Sequence, residues 1–172
     1  MKVVWRSLLL VVLSAGAVGA QALQTYNDPD RQFTIMHPRG WQVARQGGVS
    51  VFTPGDGFTS FSLLPTMEVN GTFDSGRFFD SFITDEQAKH PDLKITSRRA
   101  QGTKGQGNVE AAWTWSERST RLQAWAMMAA QPVPGANRTA VGFVLYQAPS
   151  KDWSRMEPVF KRMLQSLAFA RP

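Results

Sequence analysis

The chain is expected to fold as an α+β domain, an antiparallel β-sheet flanked by helices on both faces (an α-β-α sandwich). Three observations predict this. Short alternating apolar runs separated by Gly and Pro turns fill Gln32 to Leu64, two later stretches switch to helical spacing, and the last strands are apolar on both faces.

Gln32 to Met36, around Phe33 and Ile35, reads as a first strand. His37-Pro38-Arg39-Gly40 is a turn in which Pro38 fixes φ and Gly40 releases the chain into a second strand, Trp41 to Arg45. Gly47-Gly48 leads to a third, Val49 to Thr53, and Pro54-Gly55-Asp56-Gly57 to a fourth, Thr59 to Leu64. From Ser75 to Lys89 the period changes: Phe78, Phe79, Phe82 and Ile83 recur at helical spacing opposite Asp80, Asp85 and Glu86. Asp74 or Ser75 can cap this helix, and His90-Pro91 ends it because a residue before proline avoids the α region.

Strands resume at Leu93 to Arg99. A Gly-rich loop, Gln101 to Gly107, leads to Val109 to Ser116, and Arg121 to Ala130 and Thr139 to Gln147 complete the sheet. Trp125 and Met127 oppose Leu122, Ala124, Ala126 and Met128, while Val141, Phe143 and Leu145 oppose Ala140, Val144 and Tyr146. A strand apolar on both faces is covered on both, which calls for a helix on each side. The closing helix, capped at Ser150, carries Trp153, Met156, Phe160, Met163, Leu164 and Leu167 as one stripe, with Pro158 expected to start or kink it near Met156.

Ahead of these elements, Lys2 and Arg6 precede a short apolar run, Leu8 to Val18, and Ala20-Gln21-Ala22 places small residues at the −3 and −1 positions of a cleavage site. The run is shorter than the ~20 residues that cross a hydrocarbon core. Residues 1–22 therefore read as a signal peptide and 23–172 as one domain, extracytoplasmic (periplasmic or secreted) after cleavage near Ala22. The chain has no Cys. Thiol catalysis, iron–sulfur clusters, cysteine zinc sites and lipid attachment through cysteine are excluded.

Charge is segregated. Leu23 to Asp92 holds five Lys/Arg against nine Asp/Glu, whereas Leu93 to Pro172 holds twelve against four. Lys94, Arg98, Arg99 and Lys104 follow one strand and its loop, and Arg118 and Arg121 flank the next turn. In a meander these six can converge at a sheet edge. They form a candidate basic patch for an acidic protein, an anionic lipid headgroup or a wall polymer. The competing reading is an edge strand blunted by charge against aggregation. Nucleic acid is not expected, since no reading motif accompanies the charge.

The opening from Tyr26 to Trp41, with Phe33-Thr34-Ile35 and His37-Pro38-Arg39-Gly40-Trp41, resembles the start of the PsbP-like superfamily. The Phe-rich middle helix, the long late strands and the closing helix with Trp153 and Phe160 are similar too. That superfamily includes the PsbP subunit of photosystem II, Ran-binding Mog proteins and envelope proteins of the DcrB type. The resemblance covers essentially all of residues 23–172. It implies an α-β-α sandwich and a non-enzymatic role docking onto other macromolecules, and it carries over no active-site residue.

No residue pattern contradicts that. The two histidines each precede a proline, His37 in a turn and His90 at a helix end, and read as surface residues and not as a metal pair. No Gly-x-Ser-x-Gly elbow occurs. Gly102 to Gly107 joins two strands and lacks the Gly-Lys-Ser/Thr ending of a phosphate loop. Met127 and Met128 alternate across a strand and cannot chelate together. The expectation is an exported, soluble, non-enzymatic binding or accessory module without cofactor. The alternatives are a hydrolase built from dispersed carboxylates and a structural component of the cell envelope.

Overall fold

The computed structural model describes residues 22–103 and 106–169. Its strands form two antiparallel sheets. A seven-stranded sheet carries, in spatial order, β3 (Gln42–Gln46), β4 (Val49–Thr53), β5 (Ser60–Asn70), β9 (Arg138–Pro149), β8 (Thr120–Pro132), β7 (Gln106–Glu117) and β6 (Lys94–Thr103). A three-stranded sheet pairs β1 (Leu23–Asn27) and β10 (Ala168–Phe169) on either side of β2 (Phe33–Pro38). With helices α1 (Ser75–Lys89) and α2 (Trp153–Gln165), the fold is antiparallel, strand-rich α+β.

Two strands and the second sheet lie outside the sequence reading, and the reasons are physical. In β1 the inward residues Leu23 and Tyr26 are three apart, so no alternation shows. Asp28 closes its turn to β2 by accepting the N–H groups of Asp30 and Gln32, each at 3.1 Å. β10 is two residues long and is defined only by its pairing with Phe33 and Thr34. Gly40, at φ +84°, carries the chain out of β2 into the other sheet. β5 runs on past Leu64 because the ladder absorbs Pro65, which has no N–H, in an irregularity between Leu64 and Met67.

α1 has the expected limits. Asp74 caps it by accepting the Arg77 N–H at 3.0 Å, and His90 is the C-cap. Phe79 and Ile83 are buried, but Phe78 is 48% exposed and leans on Phe73 instead of joining the core. A 3₁₀ turn, Ser150–Asp152, precedes α2, and Ser150 makes no side-chain cap. α2 runs through Pro158, its sixth residue, so the helix continues although the proline removes one main-chain hydrogen bond.

Each helix packs into its own core. Phe79 and Ile83 of α1 meet Trp113 and Trp115 of β7 and Leu122, Ala124, Ala126 and Met128 of β8. Met156, Val159, Phe160 and Met163 of α2 meet Phe33 and Ile35 of β2, Phe52, Phe61 and Leu63, and Val144 and Tyr146 of β9. Even- and odd-numbered positions of β8 and β9 divide between these cores. The α2 side also carries the three-stranded sheet, so its layer is helix and sheet together.

Candidate functional site

Among the described residues, strand β6 closes one edge of the main sheet and hydrogen-bonds only to β7. Leu93, the residue before it, is buried, yet every residue from Lys94 to Gly102 is exposed. The cause is the reach of α1, which packs over β7 and β8 and stops short of the edge. Even Ile95 is 44% exposed. An irregularity between Ile95 and Ser97 interrupts the ladder; from Ser97 to Thr103 the pairing is regular. Ile95, Arg98 and Ala100 stand opposite Trp113, Ala111 and Val109, which line the α1 core, so these three share the α1 side. Lys94, Ser97 and Arg99 stand opposite Thr114, Ala112 and Glu110 on the other side.

The candidate cations spread along this end of the sheet. Arg98 reaches Asp80 of α1 at 2.5 Å, and Arg99 lies 3.9 Å from Glu110. Arg121 donates to Thr114 Oγ1 at 2.5 Å and lies 3.4 Å from Asp92. Hydrogen bonds from the Ser116 hydroxyl and backbone, reinforced by Arg121, hold the Asp92 carboxyl below its ordinary pKa. Register brings Lys94 beside Thr114 and hence beside Arg121. Arg118 sits with Ser119 in the two-residue turn joining β7 to β8. Both have positive φ, +47° and +66°, the conformation that hairpin twist demands. Lys104 lies outside the described residues, as do residues 1–21 of the expected leader. All three ion pairs are solvent-exposed, a class typically worth 0–1 kcal/mol, so each can be exchanged for a better partner.

Two apolar hollows were invisible in the sequence. One, of about 270 Å³, lies between Leu164, Leu167 and Phe169 and a floor that includes Met127, Ala129 and Gly142. The other, of about 180 Å³, lies beside α1 among Met67, Phe73, Phe78 and Phe143. The small side chains at 129, 140 and 142 open the first, and only strand register shows that they adjoin.

Among the described residues, no three His, Asp or Glu side chains converge as a metal site would require. His37 is not at the surface. It is 3% exposed, between the rings of Tyr26 and Phe52, and its Nε2 accepts from the Gln24 amide at 3.3 Å. Burial lowers its pKa. His90 packs on Trp115.

Against solved structures, PsbP from the cyanobacterium Synechocystis sp. PCC 6803 superposes with a TM-score of 0.55 at 18% identity, over 92% of this chain and 99% of that one. The chain has a PsbP-like fold. LpqN of Mycobacterium tuberculosis, involved in cell envelope biogenesis, shares the PsbP-like arrangement with a TM-score of 0.55 at 12% identity, over 87% of this chain and 92% of that one. The Ran-binding protein Mog1p of Saccharomyces cerevisiae gives 0.52 at 8% identity, over 87% and 96%. No protein-family profile and no curated protein sequence matches the chain. At these identities the PsbP-like likeness concerns the fold, and the site rests on its own geometry.

Proposed function

We propose that this chain is an exported, non-catalytic accessory module that docks onto an acidic protein of the cell envelope through the β6 end of its main sheet. One observation carries the reading: the edge strand is exposed from Lys94 to Gly102 while bearing Lys94, Arg98 and Arg99, with Arg118 and Arg121 at the neighbouring turn. Arg-rich surfaces suit forked contacts to carboxylates. The functions of proteins with like folds lend support, since LpqN takes part in envelope biogenesis and Mog1p binds another protein. In this reading α1 and α2 cover opposite faces of the sheet, and the mature chain begins at Leu23.

The test is capture of partners from envelope extract of the source by wild type and by an Arg98→Glu, Arg99→Glu variant. Capture by the wild type should fade between 0.1 M and 1 M salt, as the screening length falls from about 10 Å to about 3 Å. The variant should lose capture while keeping its thermal midpoint. Unchanged capture would leave edge protection as the role of these arginines. In that case apolar replacements at both positions should aggregate.

A further inference from the structure

We propose that β6 binds its partner by strand addition, taking an extended acidic segment of another protein as an eighth strand of the main sheet. The inference rests on the docking function proposed above and specifies its mode. β6 is ten residues long, and among the described residues no strand pairs with its outer edge. An unpaired edge presents a row of N–H and C=O groups, and main-chain pairing to such a row is a general mode of peptide capture. Regular pairing with β7 from Ser97 to Thr103 keeps that row in strand geometry.

The charges choose the occupant. Arg98 projects on the α1 side and Arg99 on the opposite side. Neighbours in an added strand face the same two ways, so consecutive acidic residues in the incoming segment meet one arginine each. Asp80 is exposed and Glu110 half-buried, and Glu110 lies 3.9 Å from Arg99, so neither holds its arginine away from an incoming carboxylate. Ile95 and Ala100, on the α1 side with Arg98, offer apolar contact to β-branched residues flanking the acids. A second copy of this chain fits poorly. Two-fold antiparallel pairing of β6 about its centre sets Arg98 opposite Arg99 of the other copy, twice over, and like charges directly opposite are destabilising.

The probe is a synthetic peptide the length of β6, with two consecutive glutamates at its centre and threonine and valine on either side. It is added to the full mature chain, and amide hydrogen exchange is followed residue by residue. Strand addition predicts new protection at alternate amides of Lys94 to Thr103. It also predicts affinity weakened roughly tenfold or more in 1 M salt. Arg98→Glu, Arg99→Glu should abolish binding of this peptide and gain binding of one with lysines in place of the glutamates. Binding without β6 protection overturns strand addition and leaves the docking function standing. So does failure of the peptide to bind while envelope capture remains arginine-dependent. Failure of both overturns the docking function as well. Protection of β6 that grows with protein concentration and no peptide, or that appears only with anionic vesicles, replaces the proposed partner with a second copy or a membrane.

Discussion

His37 illustrates what a single residue gains from its surroundings. Gln24 can only donate through its amide nitrogen, so the His37 Nε2 it meets is unprotonated and the ring neutral. Burial among rings lowers the pKa from its ordinary 6.5. The unfolded chain therefore takes up the proton first as pH falls, and folding stability declines below about pH 6.5. A thermal midpoint measured from pH 7.5 to 5 should fall, and His37→Gln should flatten that dependence. Gly107 is constrained differently: a Cβ there would lie 2.3 Å from the Gln101 carbonyl oxygen. Gly107→Ala should destabilise by roughly 1–3 kcal/mol in chemical denaturation, through overpacking that backbone cannot relieve. Neither role was legible in the sequence. A His-Pro turn normally faces water, and what buries His37 is Phe52, which lies in the other sheet.

Elements were legible where their signals are local. Asp74 and His90-Pro91 bracket α1 at the limits read from the sequence, since caps and prolines act within a turn of themselves. The stripe of α2 was equally plain, and Phe160, its centre, is fully buried against Phe61, Tyr146 and Trp41. Phe160→Ala should cost roughly 3–5 kcal/mol, seen as a large drop in thermal midpoint; an unmoved midpoint would mean α2 is not held by this contact. β1 and β10 were not legible, because partners distant in sequence define them. The edge position of β6 was legible in its run of cations, but the packing of α1 over β7 and β8, which leaves Ile95 exposed along with the arginines, was not.

At the scale of the whole chain, the acidic first half and basic second half are stitched together. Asp80 meets Arg98, Asp92 meets Arg121 and Glu68 meets Arg138, each pair crossing between the halves. Charge segregation along the sequence thus became partnership across the fold, which composition cannot distinguish from a free basic field. The expected maturation has its own check: N-terminal sequencing of the exported protein should begin at Leu23, the first residue of β1, or at Gln21 if cleavage follows Ala20. Retention of Met1 would end the export reading. The aromatic contacts beneath α2 have an optical consequence. Trp125 stacks on Tyr146 at 5.0 Å, and Tyr146 stacks in turn on Trp153 at 5.5 Å and Phe160 at 4.5 Å. Their transitions couple only while helix and sheet hold these rings in register. Near-ultraviolet circular dichroism should therefore report the seating of α2, and in mild acid that signal should fade while the far-ultraviolet spectrum of the strands persists.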